Sequence, residues 1–230
     1  MARKSRISTV VLALSITLRV IPITAQLNAA QQQGAKINPR SKSTGEKAPA
    51  KPAPVAQAVP SIVAPAEITA NKANHLFLQL STGGTVEIVL RPDLAPHHIE
   101  RIQTLVRRGF YDGLNFHRVI PDFMAQGGDP KGTGEGGSNL PDLKAEFTAV
   151  PFMRGTVGAA RTNKPDTANS QIFIMFARHP ELDDNYTVIG RVVAGMDAAD
   201  AIAPGEPPPQ PTKIVHAYLG DAAPASTASN

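Results

Sequence analysis

From His75 onward the apolar residues come in short runs broken by Gly, Pro, Asn and Asp, the pattern of strands joined by turns. His75–Leu80 and Thr85–Leu90 are two such runs, and the Ser81-Thr82-Gly83-Gly84 stretch between them predicts a hairpin. Ile99, Ile102, Leu105 and Val106 repeat instead at helical spacing, between Pro96, which suits a first helical position, and Gly109. Further strands are predicted at Leu114–Ile120, Phe123–Gln126, Thr156–Ala160, Gln171–Met175, Thr187–Val193 and Lys213–Leu219, with a short second helix at Met196–Ile202. Eight strands, two helices and glycine-rich connections fit a mainly β fold, a closed antiparallel barrel, better than a parallel α/β sheet. No internal repeat is present.

The N-terminal third follows other rules. Arg3, Lys4 and Arg6 precede an apolar-rich run, Ile7–Leu18, and small residues follow at Ala25, Ala29 and Ala30. This is the layout of a signal peptide, read as residues 1–25. Twelve residues are too few to span a bilayer comfortably, and a retained N-terminal anchor is the alternative. From Gln26 to about residue 68 the chain is rich in Gln, Lys, Ser, Ala and Pro and has no aromatic residue. Such a segment buries too little apolar surface to offset its ordering entropy, so it reads as a disordered tether. The folded domain is expected over 69–219, and residues 220–230 read as a disordered tail.

Composition narrows the function. A hydrophobic fraction of 42% suffices for a core, and the absence of cysteine removes both a disulfide framework and a lipid-modified cysteine. The formal charge of +4 resides in the leader: residues 1–25 carry four basic side chains and no acid, so removing them leaves a neutral chain. Nucleic-acid binding loses most of its motive.

The densest chemistry lies in FHRVIPDFMAQGGDP, residues 116–130, which places Arg118, Phe123, Met124 and Gln126 close together. A permanent planar cation beside an aromatic ring and a flexible thioether suits a polar backbone group attached to an apolar ring. His97, His98 and His117 have no spacing that argues for a metal site. GTGEGG at 132–137 lacks the strand, helix and lysine context of a phosphate loop. Ser170 lacks the partners of a hydrolase.

That segment, with GTGEGGS at 132–138, KAEF at 144–147, RTNKPDTANSQIFI at 161–174 and NYTVIGRVVAGMD at 185–197, resembles the cyclophilin-type peptidyl-prolyl cis-trans isomerases. The similarity runs over about residues 73–219. It implies an eight-stranded cyclophilin-like barrel capped by two α-helices, with a substrate groove on the outer face. Matched residue by residue, it implies that Arg118 is the catalytic arginine and Gln126 its polar neighbour. Phe123, Met124, Phe173 and Leu182 would line a proline pocket, Arg161 and Thr162 would offer backbone groups to an extended peptide, and Tyr186 falls where many members have histidine. Strand alternation alone puts Met124 and Gln126 on the face opposite Phe123, so their convergence is implied only by the resemblance. No cofactor or metal is implied. The expected partners are proline-containing unfolded or extended polypeptides, bound by a monomer without nucleic acid or stable membrane insertion. Combined with the leader, the resemblance suggests a periplasmic folding assistant. Three departures stand out. Asp122 sits where glycine is common and close enough to Arg118 to suggest an ion pair; Ile172 replaces a frequent phenylalanine; Glu181 stands near a position often held by tryptophan.

Overall fold

The computed structural model of the chain describes residues 61–222. The expected leader, the tether as far as residue 60 and the tail from residue 223 lie outside the described residues.

Eight strands form one antiparallel sheet: β1 (His75–Leu80), β2 (Thr85–Leu90), β3 (Phe116–Ile120), β4 (Met124–Gly127), β5 (Thr156–Ala159), β6 (Ile172–Met175), β7 (Val188–Ala194) and β8 (Ile214–Leu219). Their order across the sheet is β3-β4-β6-β5-β7-β2-β1-β8. Every predicted strand is present, with ends shifted by one or two residues. The sheet curls around a core of Leu76, Leu78, Ile88, Leu90, Phe116, Ile172, Ile174 and Ile189, among others. Rather than a continuous ladder, a single bridge, Asn115 to Lys213, lies between the segments bearing its two edge strands.

Helices are few: α1 (Ala66–Ala70), α2 (Pro96–Arg107) and α3 (Met196–Asp200). Helix α2 buries Ile99, Ile102, Leu105 and Val106 against the core, as their spacing predicts. Its N-terminus has no cap from Ala95; instead the Glu146 carboxylate accepts from the backbone N–H groups of His97 (3.3 Å) and His98 (3.1 Å) and from both Nδ1 atoms (2.8 and 2.6 Å). A carboxylate there answers the orphan donors and the positive end of the helix dipole. The KAEF segment and the two histidines are thus one capping device. The 132–137 loop is also a structural device, wrapped around the buried Asp129 carboxylate, which accepts from the N–H groups of Lys131 (2.7 Å), Thr133 (2.9 Å) and Gly134 (2.7 Å).

Two borders differ from the sequence reading. Residues 61–68, assigned there to the tether, lie on the domain: Ile62 packs against a second apolar cluster, and α1 follows it. Buried Arg91, 4% exposed, grips the Asp93 carboxylate through Nε and Nη2 (both 2.8 Å) and donates through Nη1 to the carbonyl of Ser61 (2.9 Å). At the other end, Gly220 N–H donates to His75 O (2.8 Å) and Asp221 pairs with Arg107 (2.8 Å), so the first tail residues continue the fold.

Candidate active site

The second cluster lies on the other side of the sheet from the core. It contains Met124, Phe173, Met175, Val188, Phe152, Leu182 and Val150, with Phe123, Tyr186 and Ile62 packed against it. Alternation builds it directly: Ile172 and Ile174 of β6 enter the core while Phe173 and Met175 enter this cluster, and on β4 Ala125 and Met124 divide in the same way. Gly158 of β5 is required here, because a Cβ at that position would collide with the rings of Phe173 and Phe152. Those rings stack with centroids 5.6 Å apart, and Tyr186 meets Phe173 edge-on at 5.7 Å.

A pocket of about 140 Å³ opens over this cluster, lined by Arg118, Phe123, Met124, Gln126, Ala160, Arg161, Phe173, Leu182 and Tyr186. The structure therefore brings together all the residues named from the sequence except Thr162. Arg118 and Gln126 are directly paired across β3 and β4, and Gln126 pairs in turn with Phe173 of β6. Phe123 joins them because it precedes β4, in a turn where Asp122 takes φ +58°; the alternation that placed it on the far face does not extend that far. This conformation favours glycine and tolerates aspartate, which accounts for the exchange at Asp122.

A register shift between Phe116 and Arg118 aims the arginine. Strict alternation would send Phe116 and Val119 to opposite faces, yet both are core residues, and Arg118 points outward between them. Its Nε donates to Glu206 Oε2 at 2.7 Å, and its Cζ lies 5.9 Å from the centre of the Phe123 ring. Glu206, and not Asp122, is its ionic partner. Among the described residues the two Nη groups make no hydrogen bond.

The rest of the rim is tied down. Gln126 Nε2 donates to Gln171 Oε1 (2.8 Å), and Gln171 Nε2 donates to the carbonyls of Gly134 (2.9 Å) and Gly136 (2.7 Å). Arg161 stacks on Tyr186 (4.4 Å) and donates through Nη2 to Asn185 O (2.7 Å). Thr162 lies in an adjoining cleft of about 300 Å³ that shares Gln126, Ala160 and Arg161. Its N–H donates to Thr167 Oγ1 (3.0 Å) and its carbonyl accepts from Arg161 Nη1 (2.9 Å), so its backbone groups already have partners within the domain. Glu181 does not line the pocket. It receives His179 Nδ1 (2.7 Å), which holds the His179 ring against Phe123 at 4.5 Å; this bond is the main cause raising the His179 pKa. Arg178 pairs with Asp183, which also accepts from Phe152 N–H (2.8 Å).

Sequence reasoning missed Ala160, Gln171 and Glu206. Gln171 falls within a segment that carried the resemblance, whereas Glu206 sits in a proline-rich loop with no local signal. His117 is buried and its two nitrogens have no partner; burial, the largest influence, lowers its pKa. Ser170 Oγ donates to Gly128 O (2.8 Å), a structural role. Among the described residues no group of three or more His, Asp or Glu side chains is placed to hold a metal ion.

An apolar pocket on the outer face of a curled antiparallel sheet, with guanidinium donors at its rim, suits noncovalent binding of a ligand that is part apolar and part polar. The comparisons with known proteins make the class specific. The family described as cyclophilin type peptidyl-prolyl cis-trans isomerase/CLD matches residues 77–219, and the chain belongs to it. A probable peptidyl-prolyl cis-trans isomerase of Brucella suis is 53% identical over 147 residues, covering 59% of this chain and 74% of that protein. Peptidyl-prolyl cis-trans isomerase B of Bacillus subtilis is 39% identical over 132 residues, 56% of this chain and 91% of that protein. The crystal structure of a Hirschia baltica cyclophilin superposes with a TM-score of 0.61 at 29% identity, covering 67% of this chain and 77% of that one. A Cryptosporidium parvum cyclophilin-type isomerase, solved in the presence of the dipeptide Ala-Pro, shares the fold with a TM-score of 0.59 at 24% identity, covering 63% of this chain and 98% of that one. The chain is a peptidyl-prolyl cis-trans isomerase.

Proposed function

We propose that Arg118 carries the isomerisation and that Phe123, Met124, Phe173 and Leu182 hold the substrate proline. The supporting observation is one pocket whose floor is apolar and whose rim presents an arginine with uncommitted Nη donors. An X-Pro bond rotates slowly because amide resonance resists it, with a barrier of about 18–20 kcal/mol. As the bond twists, the prolyl nitrogen becomes pyramidal and its lone pair becomes available. A guanidinium donates more strongly to that nitrogen than to the planar amide, so it binds the transition state better than the ground state. The pocket fixes the ring while the preceding carbonyl turns, and the rim holds the flanking backbone. No covalent step is needed. The partners are extended proline-containing polypeptides, and the working unit is a monomer.

The experiment is exchange NMR on an X-Pro peptide with the wild-type protein and with Arg118→Ala. The variant should lose about 10²–10³ in rate, the loss that follows removal of one transition-state donor, with its thermal midpoint unchanged. Near-normal exchange in folded Arg118→Ala would refute the role.

The sheet edges meet near Asn115 and Lys213, which supports reading the fold as a closed barrel in solution with α2 and α3 as its caps. The basic start and apolar run of the leader support export to a periplasm, where the isomerase would assist folding. N-terminal sequencing of the protein made in a bacterial host should find a start between about Gln26 and Gln31; recovery of Met1 or Ala2 would defeat this.

A further inference from the structure

The loop between α3 and β8 carries Glu206, which does not line the proline pocket. It borders a neighbouring cleft of about 560 Å³ together with Arg118, Gln126 and His117. We propose that Glu206 is a positioning residue for Arg118, holding the guanidinium by its Nε edge so that the Nη donors face the prolyl nitrogen. The proposal rests on the reading of Arg118 given above.

An arginine on an exposed strand samples many rotamers, and a transition-state donor must occupy one. Arg118 is 38% exposed, so packing alone does not fix it. Two contacts do: the Phe123 ring beside Cζ, and the Glu206 carboxylate on Nε. The carboxylate takes none of the Nη donors, so it orients the group without competing for the substrate. An ion pair this exposed contributes little to stability, so orientation is its main consequence.

The loop is built to deliver that carboxylate. Val119 N–H donates to Gly205 O (2.8 Å) and Gly205 N–H to Val119 O (2.9 Å), which ties the residue before Glu206 to the residue after Arg118. Gly205 has φ +143°, and a Cβ there would come within 2.6 Å of Pro208 Cα, so glycine is required. Further along, Phe116 N–H donates to Thr212 O (3.0 Å), fastening the loop a second time to β3. Arg118 and Glu206 therefore share one scaffold.

The test is a double-mutant cycle on the full chain, read as kcat/KM on an X-Pro peptide, with thermal midpoints as the folding control. Glu206→Gln should lower kcat/KM about tenfold, mainly through kcat; that is less than the roughly hundredfold cost of misplacing a reacting group altogether. Glu206→Asp should recover part of the loss. In the Arg118→Ala background Glu206→Gln should cost nothing further, because there is no guanidinium left to orient. Unchanged or faster catalysis by Glu206→Gln overturns the proposal, as does an equal loss in both backgrounds, which would mark a merely structural role. Full activity of Arg118→Ala would instead overturn the reading of the site.

Discussion

The two apolar clusters sit on opposite sides of the same strands and differ in kind. Inside the curl the residues are mostly aliphatic and packed from every direction by strands and α2. Outside, the cluster is smaller and includes Phe152, Phe173, Met124 and Met175, and part of it lines the pocket. Adjacent residues of β6 serve the two sides in turn. On the proposed reading of the pocket, moving a mutation one position along β6 decides whether a loss of stability is joined by a loss of catalysis.

Phe173→Ala and Ile174→Ala make the sharpest test. Phe173→Ala should cost about 3–5 kcal/mol and Ile174→Ala about 2–5 kcal/mol in chemical denaturation. Only Phe173→Ala should also depress kcat/KM of the folded protein, by tenfold or more, since a lost pocket wall weakens transition-state binding at about 1.36 kcal/mol per tenfold. Equal catalytic effects from the two would erase the distinction between the clusters.

A smaller effect is expected at the outer cluster's far edge. A chain beginning at residue 71 lacks Ser61 and Ile62, leaving Arg91 Nη1 without its carbonyl partner. A buried donor left unpaired costs about 1–3 kcal/mol, and the loss of Ile62 packing adds to it. Limited proteolysis should accordingly stop near residue 61; cleavage running freely to residue 71 would contradict the docking.

The smallest effect is a dependence of stability on pH. Burial lowers the His98 pKa below 6.5, against the opposing hydrogen bond to Glu146, so the folded ring stays neutral where the unfolded one binds a proton. Stability should fall as pH drops through 6.5 and return above it. Burial also raises the Glu146 carboxyl, but the bonds from His98 and His97 outweigh this and leave it below its ordinary 4.5, giving a second loss at pH values below 4.5. His75 and His179 are shifted upward and act in the opposite sense, so the measurement is the difference in thermal midpoint between wild type and His98→Asn across pH 5–8. Parallel curves would remove His98 from the account.

Much of this was legible in the sequence because alternation and helical spacing are local. The strands and α2 follow from runs of a few residues, whereas the grouping around Arg118 comes only from the family resemblance. What escaped depended on contacts between distant parts of the chain or on single backbone angles. The register shift at β3, the left-handed turn at Asp122 and the loop that presents Glu206 leave no periodic trace. Residues 61–68 looked like tether because they continue a stretch rich in alanine and proline and contain no aromatic residue; their contact with the domain runs through Arg91, thirty positions further on in the chain.

That guanidinium carries a lesson about where a protein begins. The family match starts at residue 77, yet the carbonyl that satisfies Arg91 belongs to residue 61. The family match marks out one length of chain and the hydrogen bonds of the fold a longer one. A residue inside the matched region is thus answerable to a stretch outside it, so a substitution in that outer stretch should register as a defect of the curled sheet.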